Sequence, residues 1–318
     1  MARFFLFLFI LMAFSTFGAD LPVLRKESQG FEVSLVQKIL RRFGFPVELN
    51  GIFDEITENA IRTFQTQNGQ FPHGIVNDST WNNLLNKQLD ECSFIQGIDI
   101  SHYENEEFKN GDFPFDKLKQ FKLDFCFVKG THGGERRDPY FEYNFIRLDE
   151  HHMIKGVYHF FSLLKEDIHQ QVSNFLSMNI DFSKPGILPP VLDIEEDTRP
   201  FDREYIISNR TLVVERIRYW LHAVEVVTGR KPMIYCRKSF WENVIGDPDG
   251  FDQYLLWVAN YQPDSPPIMP TCWQGKWHFW QYTDKGLLEG IGKYDLNRFS
   301  GTYLDLMKMA NYELRIKN

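Results

Sequence analysis

Apolar positions along the chain follow two different patterns. From about Leu24 to Leu85 they recur at helical spacing. Phe31, Leu35, Val36, Ile39 and Leu40 mark the face of a first helix, which Gly44 can end. Asn50-Gly51 is a turn signal. A second helix restarts at Thr57-Glu58, runs through Phe64-Gln65 and stops at Asn68-Gly69; a third, short one runs from about Ser79-Thr80 to Leu85. Three short helices predict a small bundle without room for a deep catalytic pocket, hence a binding or structural module.

After a polar connection at Asn86–Phe94 the pattern changes. Apolar, β-branched or aromatic runs appear at Ile95–Ile100, Phe125–Lys129, Gly156–Phe161, Pro190–Ile194, Pro232–Tyr235, Leu255–Ala259 and Trp277–Tyr282. Helical stretches lie between them, among them Glu142–His151, His169–Met178 and Thr211–Val227. Strands alternating with helices predict an α/β fold of parallel strands joined by crossovers. This many units point to a closed or nearly closed barrel rather than an open sheet. No glycine-rich phosphate loop follows any strand, so nucleotide binding has no support.

Met1–Asp20 stands apart from both patterns. Arg3 precedes the apolar run Phe4–Phe14, and the small residues Ser15, Thr16, Gly18 and Ala19 follow. A charged start, a short apolar middle and a small-residue exit predict a secretory signal over 1–19, and with it a secreted protein. The run is shorter than the roughly 20 residues of a spanning helix, so no stable membrane insertion is expected after its removal.

Composition narrows the class. The chain has 318 residues, 43% hydrophobic and 25% charged, with a net charge of −8, which suits a soluble globular protein and not a nucleic-acid binder in need of a basic face. Cys92, Cys126, Cys236 and Cys272 are far apart and lack metal-ligand spacing, and no pairing among them is assigned. His151-His152 lacks the context of a zinc site. Aromatic residues make up 16% of the chain, and six of the 30 Phe lie in the expected signal. A late concentration comprises Trp257, Tyr261, Trp273, Trp277, Trp280 and Tyr282. Aromatics at such a density can build a bulky core or a surface that stacks on flat ligands.

The chemistry of a parallel barrel gathers at the C-terminal ends of its strands. Acids close or follow apolar runs at three places: Asp99 in Gly97–Ser101, Asp193 and Glu195 in Pro189–Glu195, and Asp295 in Tyr294–Asn297. Alternate residues of a strand share a face, so Asp193 and Glu195 point to the mouth together, their backbones about 6.6 Å apart. Two close carboxylates do not both ionise cheaply, so one has a raised pKa and can act as a general acid. A raised acid beside an ionised partner is the arrangement of glycoside hydrolysis. A calcium site or a surface ion pair would also use such residues. Asp99, Ser101 and His102 have the letters of a hydrolase triad, but they are adjacent in sequence and no GxSxG elbow is present.

Two resemblances extend this reading. The N-terminal segment resembles a peptidoglycan-binding module of bacterial wall hydrolases. The matches are Gly30 and Val33 with Val36–Leu40, Gly44-Phe45, Asn50–Phe53, Thr57–Ile61 with Phe64-Gln65, Gly69, Gly74–Val76, and Thr80-Trp81 with Leu84. It departs at Asp54, where that family usually has Gly. Phe53, Phe64 and Trp81 are expected to build the module's core.

From Ile95 to Phe299 the chain resembles the lysozymes (muramidases) of glycoside hydrolase family 25. The stretches that carry this are Gly97–Ser101, Phe127–Lys129, Asp138–Phe141 with Asn144, Tyr158–Phe161, Leu188–Glu195, Gly229–Tyr235 with Phe240-Trp241, Leu256–Tyr261, Phe279–Tyr282, and Gly290-Ile291 with Asp295–Asn297. The resemblance implies an irregular TIM-like β/α barrel over 94–310, preceded by a three-helix module over 22–88. It implies cleavage of the β-1,4 bond between N-acetylmuramic acid and N-acetylglucosamine, with peptidoglycan as substrate, chemistry that requires no cofactor or metal; a monomer is expected. By motif match Glu195 is the general acid/base, and Asp193 orients the substrate's own acetamido group as internal nucleophile or stabilises charge directly, the former being favoured. Asp99 and Asp295 flank the site. Tyr158, Trp257, Tyr261, Trp273 and Trp280 are the expected sugar contacts, Tyr158 serving equally well as core packing. Two stretches at the mouth depart from the family, His102-Tyr103-Glu104 and Thr131-His132-Gly133. They leave open another N-acetylhexosamine polymer such as chitin. A non-catalytic wall-binding protein is the remaining alternative, although all four acids are present.

Overall fold

The computed structural model describes residues 21–86, 94–118, 120–196, 203–263 and 265–312. The expected signal at 1–19 and Cys92 lie outside these residues. The first described segment forms three helices: α1 (Phe31–Arg42), α2 (Glu55–Gln67) and α3 (Asp78–Asn86). Helix α2 starts two residues before the expected Thr57 because Asp54 caps it, its carboxylate accepting the Thr57 N–H at 2.7 Å. The residue that departs from the family pattern thus has a local structural use. Two buried glutamines tie helices to turns. Gln37 of α1 donates to the Ile52 carbonyl and accepts the Gly51 N–H, while Gln65 of α2 donates to the Ile75 carbonyl and accepts the Gly74 N–H. Phe53, Phe64 and Trp81 are buried in the module core.

The rest is a barrel. Its strands are β1 (Ile95–Ile100), β2 (Leu123–His132), β3 (Arg136–Arg137), β4 (Ile154–Phe160), β5 (Val191–Ile194), β6 (Met233–Arg237), β7 (Leu255–Ala259), β8 (Phe279–Leu288) and β9 (Gly292–Phe299). The order around the barrel is β1-β2-β4-β5-β6-β7-β8-β9, closing on β1, with β3 a short antiparallel addition to β2. Neighbours from β1 to β8 run parallel, as the alternating pattern predicts. Strand β9 corrects that expectation. It forms a hairpin with β8 and runs antiparallel to both β8 and β1. It offers no apolar run because Asp295 and Asn297 occupy positions that serve the mouth.

Strand alternation sorts side chains into two layers. On β2, Phe125 and Phe127 join the barrel interior, while Cys126 and Val128 join the outer layer packed under the helices. The interior accepts these rings because glycine faces them. A Cβ on Gly97 would lie 2.3 Å from the Phe125 ring, and one on Gly156 would lie 2.2 Å from Phe127. The helices Phe141–Glu150, Ile168–Leu176 and Arg210–Thr228 match the expected stretches to within two residues. Cys126, Cys236 and Cys272 are free thiols.

The module closes the barrel's N-terminal end. Its core is continuous with the barrel interior and with the helix Tyr303–Met309. Arg42, at the end of α1, donates to Asp124 Oδ2 from Nη2 at 2.6 Å and from Nε at 3.1 Å, and Nη1 donates to the Phe94 carbonyl at 2.7 Å. Both partners of this ion pair are buried. Lys38 donates to the His152 carbonyl at 3.0 Å, and Phe31 stacks on Tyr312 with centroids 4.9 Å apart. All the barrel groups involved precede or begin strands or follow the last helix, so this junction lies at the end opposite the mouth.

Candidate active site

The barrel brings the four acids together from three strands. Asp99 (β1) and Asp295 (β9) are direct partners across the antiparallel pair. Asp193 lies on β5, in register with Tyr235 of β6, and Ile194 is in register with Cys236. Glu195 continues β5 by one residue, on the same side as Asp193. The next rung therefore sets Glu195 beside Arg237, the last residue of β6.

One amide organises half of this site. Gln281 of β8 donates through Nε2 to both oxygens of Asp99, at 3.2 and 3.0 Å, and to Asp295 Oδ2 at 3.1 Å. Its carbonyl oxygen accepts the hydroxyls of Tyr235 at 2.8 Å and Tyr261 at 2.9 Å. Asn297 donates to Asp99 at 2.7 Å and accepts the indole N–H of Trp257 at 2.8 Å. Asp99 and Asp295 are thus held by donors from two neighbouring strands, and a buried polar network of this kind is rigid when its members are satisfied.

Asp193 is different. It is 4% exposed, and its Oδ1 is buried with no hydrogen-bond partner among the described residues. Burial pushes its pKa well up, the Glu195 charge adds to this, and Lys129 opposes it. Burial also raises Glu195, with Arg237 and Lys129 pulling the other way. Asp99 is raised well above the usual range by burial and then by Asp295, against the donors Asn297 and Gln281. Asp295 is raised to about 7, chiefly by burial and then by Glu104. Four carboxyls in one mouth are all shifted upward, each holding its proton more tightly than an isolated carboxyl does. Such a set can supply a proton to a leaving oxygen while keeping an acceptor beside it.

The family model of the glycosyl hydrolases family 25 matches residues 98–291, more than half of the chain. The chain belongs to this family. A peptidoglycan binding domain model matches residues 29–84. The protein YegX of Escherichia coli (strain K12) is 34% identical over 222 residues, covering 68% of this chain and 74% of that one. Lysozyme M1 of Streptomyces globisporus is 29% identical, covering 70% and 73%. Among solved structures, a bacterial lysozyme from Streptomyces coelicolor matches with a TM-score of 0.62 at 28% identity, covering 70% of this chain and 99% of that one.

This family 25 barrel treats the expected sugar contacts unequally. Tyr158 of β4 is half-buried inside the barrel, edge-on to Trp257 at 6.3 Å, and burial with the Asp99 and Asp193 charges keeps its hydroxyl protonated. Tyr261, just past β7, is half-buried and anchored to Gln281. Trp257 lies beneath the acids, stacked on Phe127 with centroids 4.1 Å apart. Trp273 and Trp280 overturn the expectation placed on them. Each is 1% exposed, and each indole N–H is spent on a backbone carbonyl, Tyr254 at 3.0 Å and Asn260 at 2.7 Å. Both belong to the outer layer between barrel and helices and offer no free ring face. Strand alternation accounts for Trp280: on β8, Gln281 faces the acids, so Trp280 faces outward, while Trp273 lies on the short helical turn Thr271–Trp273 ahead of that strand.

Four residues of the site escape a search restricted to acids and aromatics. Gln281 and Asn297 are neutral, and Lys129 and Arg237 are basic. A signal is present for Asn297, which shares a strand face with Asp295, and for Arg237, which ends β6; Gln281 and Lys129 lie within β8 and β2, and only barrel closure brings them to the acids. His102 takes a structural place, its ring Nδ1 bonding Asp138 at 2.8 Å, and Ser101 caps the short helix that follows β1.

Proposed function

We propose that the chain is a secreted muramidase that hydrolyses the β-1,4 bond between N-acetylmuramic acid and N-acetylglucosamine, with the N-terminal module holding the enzyme on peptidoglycan. The observation that carries this reading is the pair on β5: Asp193 with an unsatisfied buried oxygen, next to Glu195 with a raised pKa. The similarity to Lysozyme M1 and to the N,O-diacetylmuramidase of Chalaropsis, 27% identical over 222 residues, supports it.

Glu195 donates its proton to the glycosidic oxygen as the bond to the sugar's anomeric carbon breaks. Asp193 accepts the N–H of the substrate's acetamido group, leaving that group's carbonyl oxygen to close on the anomeric carbon. Glu195, now ionised, takes a proton from water, which opens the ring intermediate and restores both the acetamido group and the acid. The unsatisfied oxygen of Asp193 is the acceptor this step requires. Asp99 and Asp295, fixed by Gln281, hold sugar hydroxyls, and Tyr158 donates its hydroxyl near the reacting sugar. The chemistry needs no cofactor. Among the described residues no helix is long and apolar enough to cross a membrane, which is compatible with export behind the expected signal.

Turbidity loss of purified peptidoglycan, with analysis of the new reducing ends, tests the reading. Wild type should release reducing-end N-acetylmuramic acid. Glu195→Gln should keep wall binding and lose lysis by about 10²–10⁴-fold. Undiminished lysis by this variant removes Glu195 as the acid, and reducing-end N-acetylglucosamine in place of muramic acid removes the muramidase assignment.

A further inference from the structure

Arg237 is a residue at the mouth that the hydrolytic scheme leaves unused. It ends β6, one rung beyond the pair Ile194 and Cys236, and so lies beside Glu195. Its side chain lines an open groove of about 380 Å³ together with Lys238, Asn243, Asn260, Tyr261 and Ile268. It is exposed, yet it is not loose. One guanidinium nitrogen donates to the Tyr261 hydroxyl at 2.8 Å, and the group lies over the Tyr261 ring at 4.6 Å. Tyr261 in turn donates to Gln281, the amide that fixes Asp99 and Asp295. The cation is therefore tied into the same network as the catalytic acids.

Among the described residues its remaining donors take no other partner. Among the described residues no carboxylate lies within ion-pair distance of Arg237, whereas its neighbour Lys238 is paired with Glu242. A guanidinium has five N–H donors in a planar fork, and its best match is a carboxylate held by two parallel hydrogen bonds. A neutral glycan such as chitin gives this fork nothing to pair with. A glycan whose sugars carry a carboxylate on a short arm, as N-acetylmuramic acid does on its lactyl group, gives it the matching anion.

We infer that Arg237 is a specificity-determining residue that binds a carboxylate of the glycan, carried on the muramyl lactyl arm or on the peptide attached to it, in the groove beside Glu195. This rests on the muramidase reading of the mouth and adds to it a reason for preferring muramyl glycans over neutral N-acetylhexosamine polymers. Arg237 touches substrate in this scheme without taking part in proton transfer. The pairing orients the muramyl sugar against Glu195, with part of its binding energy used for position.

The test is binding by the full chain in the Glu195→Gln background, which separates recognition from turnover. Calorimetry compares a peptide-free muramyl glycan fragment with its lactyl methyl ester, and a peptide-bearing fragment with one whose peptide carboxylates are amidated. The acid form should bind more tightly than its neutral counterpart in one of these two comparisons. The comparison that shows the preference identifies the lactyl arm or the peptide as the source of the anion. Adding Arg237→Gln should erase that preference, weakening the acid form by roughly 10- to 100-fold, the range of a hydrogen-bonded charge pair. Arg237→Lys, which keeps the charge but not the fork, should restore it in part. The helical module is identical with and without Arg237→Gln, so the change that this substitution causes reports the barrel groove alone, and matched thermal melts show that each variant is folded. Equal binding of acid and neutral forms in both comparisons overturns the inference, as does a preference that survives Arg237→Gln. The muramidase reading fails separately, on the lysis assay with wild type and Glu195→Gln.

Discussion

The two ends of the barrel both bury charge, and they do it in opposite ways. At the N-terminal end Arg42 and Asp124 neutralise one another, and backbone carbonyls take further guanidinium protons. At the C-terminal end four carboxyls share a mouth whose neighbouring cations, Lys129 and Arg237, act on them from a distance. The first arrangement is what a buried charge requires when it only has to be stable. The second carries a desolvation penalty that its donors and cations only partly relieve, and the raised proton affinities of Asp99, Asp193, Glu195 and Asp295 are its expression. Balance marks the end that holds the module, and imbalance marks the end for which we propose acid catalysis.

The comparison can be broken at either end. Its largest test is Arg42→Ala, which leaves Asp124 buried without its partner. The expected loss is about 3–5 kcal/mol of stability, measured by denaturant unfolding, with the activity of the folded fraction kept. A loss under 1 kcal/mol would mean that the junction is wet and the module loosely held.

Next comes Gln281→Leu, which removes the donors to Asp99 and Asp295. Both carboxyls should then hold their protons to higher pH. The pH profile of kcat/KM should move upward, with activity at pH 6 reduced about tenfold, equivalent to one lost charge-assisted hydrogen bond. An unmoved profile would show that these acids do not govern turnover.

A smaller effect, of opposite sign to that at Arg42, is expected at Asp295. Its carboxyl rises from 3.8 to about 7 in the folded protein, so the native state holds a proton that the unfolded chain releases. Its stabilising contribution is complete below about pH 4 and is lost as pH rises through 7. Asp295→Asn, neutral at every pH, should therefore raise the melting temperature more at pH 8 than at pH 4. A gain that is the same at both pH values would place Asp295 outside the charge imbalance.

The smallest test concerns the outer layer. Trp280→Phe should cost about 1 kcal/mol through the lost bond to the Asn260 carbonyl, with KM unchanged. A raised KM without loss of stability would restore Trp280 as a sugar platform.

Much of this was legible in the chain. Seven apolar runs and their intervening helical stretches forecast the parallel part of the barrel. PPVLDIE placed Asp193 and Glu195 on one face by alternation alone. The module was legible in its turns and helix spacing, and its glutamines and Asp54 proved to serve those same turns. Strand β9 was harder, since an antiparallel closing strand with a polar inner face gives no hydrophobic signal. The tryptophans misled for a related reason. Composition counts rings but does not say which side of a strand they occupy, and one position of alternation decides between sugar platform and core.

The sequence by itself therefore determined the local elements, the two-part organisation and the acids at the strand ends, because these depend on spacing within short segments. Only the tertiary structure decided which distant residues meet. Gln281 reaches Asp99 across 182 positions of sequence, Arg42 reaches Asp124 across 82, and Arg237 arrives beside Glu195 through the register of neighbouring strands. Barrel closure and register, set by packing over the whole chain, turn four separate carboxyls into one site and put the module at its far end.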